Sequence, residues 1–82
     1  MFDERIKELV AVGASVTANC QPCLEYHTAK AREFGACTDD ILAAVEVGKL
    51  VQRGAAAKMD RFAEAHVRGT QVPETAAACG CE

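Results

Sequence analysis

The stretch Cys20-Gln21-Pro22-Cys23-Leu24-Glu25-Tyr26-His27 combines a helix start with chemically reactive side chains. Pro22 suits the first turn of a helix, where a missing backbone N–H costs nothing. An α-helix turns about 100° per residue, so Cys23 lies about 60° and His27 about 20° from Cys20 around the axis. The sequence therefore predicts one narrow helix face that carries two thiols and an imidazole.

The spacing within this stretch also separates the roles of the two cysteines. His27 follows Cys23 by four residues, which brings the two side chains into contact on a helix. Cys20 lies seven residues before His27, about 10 Å away along the axis. A thiolate is the reactive form of cysteine, and a neighbouring base or a helix N-terminus promotes it. The spacing thus predicts Cys23 as the attacking thiol and Cys20 as the resolving thiol.

Outward from this stretch, four segments show helical spacing and none predicts a strand. The first segment has Asp3 as its predicted N-cap. A break is predicted at residues 17–19, after which Asn19 is the predicted N-cap of the second helix. Gly35 is a natural residue to follow the end of that helix. The apolar positions of the first segment are Phe2, Ile6, Leu9, Val10, Gly13 and Val16.

Two further helices are predicted in the second half of the chain. Thr38 is the predicted N-cap of the third helix, and Asp39 and Asp40 follow in its first turn, where the helix dipole favours negative charge. Residues 54–57, Gly-Ala-Ala-Ala, form either a hinge or a thin helical stretch that a neighbour can approach closely. The fourth helix is predicted over residues 59–68.

The fold class is therefore all-α, with one helical domain over residues 1–68. Residues 69–82 lack periodicity and contain Pro73, so we expect a flexible tail. Cys79 and Cys81 in this tail are either incidental or a dithiol that relays electrons to the helix cysteines or grips a soft metal.

The composition predicts a small core and argues against a nucleic-acid-binding protein. The chain has 82 residues, with no Trp, one Tyr and three Phe, so a lone copy has a core poor in bulk. A domain of this size buries only about 60% of its unfolded surface, and we expect self-association to complete the core. The net charge is −3 without a basic cluster, which argues against nucleic acid as a partner.

The same composition predicts a cytoplasmic location. No apolar run approaches the roughly 18 residues of a membrane span, and residues 1–5 lack the basic-then-apolar order of a signal peptide. Five cysteines in such a chain favour redox or metal chemistry over a structural disulfide framework.

Glu8 joins the predicted site by geometry. In an antiparallel hairpin with its turn near residue 18, Glu8 lies about ten residues before the turn and His27 about nine after it. The rise is 1.5 Å per residue, so the two are level. A carboxylate there could orient the imidazole and stabilise its charged form. Glu4 and Glu25 compete for this role.

A zinc site is the main alternative from the residues alone. Cys20, Cys23 and His27 could ligate a metal, with the fourth ligand from Cys37 or from the tail. His66 is expected on a helix surface or in an interface rather than as a ligand.

The complete pattern resembles a known family. Glu8, eleven intervening residues, Cys20-x-x-Cys23, three residues and His27 are similar to the motif of the AhpD-like alkylhydroperoxidases, which are grouped with carboxymuconolactone decarboxylases. The resemblance covers roughly residues 5–66. It includes the turn Phe34-Gly35-Ala36 and the acidic helix start Thr38-Asp39-Asp40-Ile41.

The resemblance implies an all-helical fold that assembles into homotrimers or homohexamers. It implies a peroxiredoxin-type oxidoreductase in which peroxide oxidises Cys23 to a sulfenic acid and Cys20 resolves it as a disulfide. Glu8 and His27 would form a proton relay, a dithiol would act as reductant, and no cofactor is expected. The cysteine pair favours the peroxidase branch, because the lactone decarboxylases do not rely on it.

Three alternatives stay open from the sequence. The same centre could serve a general disulfide reductase. The cysteines and His27, with Cys79 and Cys81, could form a metal- or metalloid-binding module. Glu8 and His27 could act on a lactone or another carbon acid.

Overall fold

The computed structural model describes residues 2–70 of the chain. These residues form three helices and no strand: α1 (Glu4–Thr17), α2 (Gln21–Glu33) and α3 (Thr38–Gly69). The all-α prediction is confirmed for this part of the chain. Cys79 and Cys81, with the rest of residues 71–82, lie outside the described residues.

The corner between α1 and α2 lies where the sequence predicts a break. Asp3 caps α1 as predicted, since its carboxylate accepts the Ile6 N–H at 2.8 Å. The prediction of Asn19 as the N-cap of α2 is wrong, because Cys20 is that residue. Asn19 instead adopts the left-handed conformation, with φ of +58°, and so ends α1 rather than starting α2.

The corner between α2 and α3 has the same design. Gly35 follows the end of α2 with φ of +95°, which confirms the predicted stop and suits a residue without Cβ. The predicted N-cap Thr38 is wrong, because Cys37 is the N-cap and Thr38 is the first helical residue. The Thr38 hydroxyl accepts a hydrogen bond from the Arg32 guanidinium at 3.0 Å, so this side chain joins α3 to α2.

The predicted third and fourth helices are one helix. α3 runs for 32 residues without a break, a length of about 48 Å. A single glycine costs a helix only about 1 kcal/mol relative to alanine, and alanine is the strongest helix former. Residues 55–57 are all alanine, so they carry the helix past Gly54.

α3 lies parallel to α1 and extends beyond it. Arg5 forms an ion pair with Asp40 at 3.5 Å near the start of both helices. The Thr17 hydroxyl, at the end of α1, donates to the Gly48 carbonyl at 2.9 Å. We call residues 38–52 the packed half of α3 and residues 53–69 the projecting half. The projecting half leaves the bundle at the end where α1 turns into α2.

The core between the helices is small, as the composition predicts. Val12 is fully buried, and its buried apolar neighbours are Ala31, Ala36 and Ile41. α1 and α3 cross in close contact at Gly13 and Gly48, where a Cβ on Gly48 would overlap the Gly13 carbonyl. In the described part of the chain, no helix is long and apolar enough to cross a membrane.

Candidate active site

The two cysteines of the motif form a disulfide at the start of α2. The Cys20–Cys23 bond joins Cα atoms 5.2 Å apart. Cys20 is the N-cap, and its sulfur accepts the Cys23 N–H at 3.3 Å. Cys20 is half-buried and Cys23 is exposed. Both sulfurs therefore lie at the positive end of the helix dipole, which stabilises a thiolate when the bond is reduced.

His27 and Glu8 are in direct contact across the α1–α2 hairpin. His27 Nδ1 lies 2.6 Å from Glu8 Oε1, so the imidazole donates to the carboxylate. Glu8 is buried, with 8% of its surface exposed, and His27 is half-buried. The predicted Glu8–His27 pairing is confirmed as a contact, and their catalytic roles remain a prediction.

The two competing carboxylates lie elsewhere on the molecule. Glu4 pairs with Lys7 at 3.1 Å on the surface of α1. Glu25 is exposed and lies two residues before His27, on a different side of the same helix. Glu8 is thus the carboxylate that orients this imidazole.

The hydrogen bond to Glu8 defines which ring nitrogen of His27 is available. Nδ1 carries the proton that Glu8 accepts, which leaves Nε2 as the nitrogen that can exchange a proton with a reactant. Cys23 lies four residues earlier on α2, so its side chain and the imidazole share one helix face. The arrangement provides a thiol, a base and a group that orients the base.

Tyr26 and Lys30 border this face. The Tyr26 ring meets the His27 ring edge-on, with centroids 5.0 Å apart. The Lys30 ammonium lies 5.9 Å from the Tyr26 ring centroid. Its hydrogen bond to Glu33 raises the pKa of Lys30, so the ammonium stays charged beside the ring.

The three helices that carry this site match a known protein family. The model of the carboxymuconolactone decarboxylase family matches residues 2–67, which include all three helices up to the last turn of α3.

The chain belongs to the carboxymuconolactone decarboxylase family.

This family includes AhpD-like peroxidases as well as lactone decarboxylases. A similar protein is "uncharacterized protein 4 in cox locus" of Paracoccus denitrificans, which is 37% identical over 55 residues. The match covers 67% of this chain and 50% of the relative, so the chain spans about half the length of that protein. No solved structure matches the chain.

A small pocket of about 220 Å³ adjoins the disulfide on the Cys20 side. Its lining combines apolar groups from both hairpin helices with polar groups of the corner. The lining residues are Ser15, Val16, Asn19, Cys20, Gln21 and Leu24. A reactant that approaches Cys20 therefore meets a bounded surface, whereas Cys23 faces solvent.

Gln52 is a residue of this region that the sequence analysis missed. Its side-chain amide donates to the Val16 carbonyl at 3.1 Å and to Asn19 Oδ1 at 2.7 Å. A signal for it exists in the sequence, because Gln52 continues the helical spacing of Ile41, Val45 and Gly48 along α3. A polar residue on a core stripe indicates a specific hydrogen bond.

The remaining cysteine and histidine lie apart from the disulfide. Cys37 is a free, exposed thiol at the start of α3, at the opposite end of α2 from Cys20. His66 stacks on Phe62 in the projecting half, with ring centroids 5.7 Å apart. Within residues 2–70, no three histidine, cysteine or acidic side chains are grouped to hold a metal. A metal site would therefore need ligands from outside these residues.

Proposed function

We propose that this protein is a thiol-dependent alkyl hydroperoxide reductase with Cys23 as its peroxidatic residue. The observation that carries the proposal is the Glu8–His27 hydrogen bond of 2.6 Å on the helix face of the Cys20–Cys23 pair. A disulfide alone would also suit a structural role. A disulfide beside an oriented base provides a complete set of groups for thiol oxidation and proton transfer.

The proposed cycle has three steps. His27 accepts the proton of the Cys23 thiol, and the resulting thiolate attacks the peroxide so that the O–O bond breaks. His27 then returns the proton to the leaving alkoxide, which gives Cys23 sulfenic acid and an alcohol. Cys20 then attacks the sulfenic sulfur, which releases water and forms the disulfide. A dithiol reductant exchanges with this disulfide and regenerates both thiols as it becomes oxidised itself.

The test is turnover of cumene hydroperoxide by the full chain with dithiothreitol as donor. Cys23→Ser should abolish alcohol formation, whereas reduced Cys20→Ser, assayed without a donor, should form one equivalent of alcohol and stop at the Cys23 sulfenic acid. The matched control is Cys37→Ser, which removes an exposed thiol at the opposite end of α2 from Cys20 and should keep the full rate. Turnover that persists in Cys23→Ser would contradict the proposal.

The Glu8–His27 relay has a separate test. Glu8→Gln keeps a hydrogen-bond acceptor for His27 but removes the carboxylate charge from the relay. We expect kcat/KM for the hydroperoxide to fall on the order of 100-fold, within the usual contribution of general acid–base catalysis. An unchanged kcat/KM would remove Glu8 from the mechanism, and a general disulfide reductase would then be the better account of the cysteines.

A second candidate function uses the same acid–base pair without the cysteines. Glu8 and His27 are complete as a proton-transfer pair in the absence of any thiol, and the family also contains lactone decarboxylases. The double variant Cys20→Ser/Cys23→Ser distinguishes the two functions. Retained decarboxylation of a carboxylated lactone by this variant would favour the second candidate.

We also propose that the chain self-associates. An apolar groove of about 430 Å³ runs between α1 and α3, and the projecting half leaves Met59 and Phe62 61% and 64% exposed. Such surfaces are typical of protein interfaces. The groove is lined in part by Ile6, Val10, Val47 and Val51.

Charge supports a second copy of the chain as the partner. Residues 2–52 hold eight acidic and five basic side chains, whereas residues 53–70 hold four basic and two acidic ones. The projecting half of one copy is thus complementary to the body of another. Sedimentation should give three or six times the chain mass of 8.7 kDa, and a monomer would contradict this proposal.

We place the protein in the cytoplasm. The proposed cycle needs continual reduction of the Cys20–Cys23 disulfide, and cytoplasmic thiol systems supply that reduction.

A further inference from the structure

At the corner between α1 and α2, Cys20 takes part in both the end of the first helix and the start of the second. The Cys20 N–H donates to the Ser15 carbonyl, and the Asn19 N–H donates to the Val16 carbonyl, both at 3.0 Å. This pair of bonds is the Schellman arrangement that ends an α-helix, with Asn19 as its left-handed residue. Cys20 therefore completes the end of α1 and is also the N-cap of α2.

Asn19 holds a conformation that costs free energy for any residue except glycine. Its φ is +58°, and asparagine tolerates this region better than most residues because its short polar side chain forms local hydrogen bonds. Here the side-chain oxygen accepts from Gln52 at 2.7 Å. The strained residue directly before Cys20 is thus tied to α3.

The side-chain amide of Gln52 has as many N–H donors as the corner has acceptors for it. A glutamine amide has two N–H donors, and the corner presents two acceptors, the Val16 carbonyl and Asn19 Oδ1. Gln52 is half-buried, so the bonds are partly protected from water. Asn19 directly precedes Cys20, and its N–H donates to the same Val16 carbonyl that Gln52 contacts. Gln52 therefore restrains the backbone that positions the Cys20 sulfur.

We infer that Gln52 is a positioning residue of the dithiol centre, which holds Cys20 at the N-cap and so favours the Cys20–Cys23 disulfide over the dithiol. The inference rests on the proposed function for its biological meaning, because it concerns the step in which Cys20 resolves Cys23. Loss of the restraint should let Cys20 move away from Cys23 when the bond is reduced. The disulfide is then easier to reduce, and the reduction potential rises.

The experiment measures the equilibrium of the disulfide in the full chain against reduced and oxidised glutathione. Alkylation and mass spectrometry of the peptide that contains Cys20 and Cys23 separate this pair from the other cysteines. For Gln52→Met, which keeps length and removes both donors, we expect the equilibrium to shift toward the dithiol about tenfold. For a two-electron couple this corresponds to about 30 mV.

Arg53→Met is the matched control, since it introduces the same side chain at the next, exposed position and should leave the equilibrium unchanged. Asn19→Gly is the second variant. Glycine accepts the positive φ without strain, so this variant folds while it removes the Oδ1 acceptor, and we expect a shift of about threefold.

A Gln52→Met protein that is helical by circular dichroism and has the wild-type equilibrium constant would overturn the inference. If Gln52→Met fails to fold, a wild-type constant in Asn19→Gly would overturn it equally. The measurement uses no peroxide, so it stands apart from the proposed activity. A shifted potential without peroxide turnover would keep Gln52 in its role and reject the peroxidase.

Discussion

The two halves of α3 carry similar apolar stripes in different surroundings. In the packed half, Ile41 is 5% exposed and Gly48 lies against α1. Met59 and Phe62 follow Gly48 by eleven and fourteen residues, which places them about 20° and 40° from it around the axis. The face that packs on α1 therefore continues into the projecting half, where residues 2–70 supply nothing to cover it. Periodicity in a sequence thus identifies an apolar stripe but not the surface that buries it.

The largest expected effect is a loss of folding stability from a substitution in the packed half. Ile41→Ala removes a buried side chain and leaves a cavity, so we expect the free energy of unfolding to fall by about 3 kcal/mol. The control in the projecting half is Val67→Ala, whose side chain is exposed and lies outside the stripe; a change within about 0.5 kcal/mol is expected. Urea unfolding at equal protein concentrations measures both. Equal losses would mean that the halves do not differ.

The helix crossing gives the next effect. A Cβ on Gly48 would overlap the Gly13 carbonyl and come within 2.9 Å of the Val16 Cβ. α1 and α3 must separate to accept it, and overpacking of this kind costs typically about 2 kcal/mol. We expect Gly48→Ala to lower the urea midpoint accordingly. A wild-type midpoint would show that the crossing is looser than the geometry indicates.

Substitutions in the projecting half should change self-association rather than folding stability. Phe62→Glu places a charge on the continuing stripe, and we expect self-association to weaken at least tenfold, or about 1.4 kcal/mol. Ala57→Glu adds the same charge on the opposite side of the helix and should leave association unchanged. Sedimentation over a concentration series measures both variants. Equal behaviour would exclude the stripe as the interface.

The smallest effect has the opposite sign. Gly54 has no atom within 4 Å of the position that a Cβ would occupy, and a helical glycine costs about 1 kcal/mol relative to alanine. We therefore expect Gly54→Ala to raise the free energy of unfolding by up to about 1 kcal/mol. A destabilised Gly54→Ala would reveal a close contact at this glycine in the assembled protein.

The contact between Glu8 and His27 is predictable from the sequence because it needs only the rise of a helix. Counting residues from a turn near residue 18 was sufficient to place Glu8 level with His27, since every helical residue contributes the same length. The role of Gly35 is equally predictable, because a glycine directly after an amphipathic segment commonly ends a helix.

Other features depend on information that local sequence does not hold. Asparagine is favoured both as an N-cap and in the left-handed conformation, so the role of Asn19 followed only from the backbone around it. Gln52 acts on residues more than thirty positions away, a contact that requires the parallel packing of α1 and α3. Residues 54–57 left both a hinge and a helical stretch open, and the structure has the helical stretch, because the surrounding alanines outweigh one glycine.

Because Cys20 both ends α1 and begins α2, the connection between the helices has a fixed length. One added residue before Cys20 would rotate α2 by about 100° about its axis, and His27 would turn away from Glu8. A gene that gained or lost a single codon here would keep every reactive side chain and still lose the site. Insertions and deletions should therefore be absent from this corner in functional relatives, even where the residues around it vary.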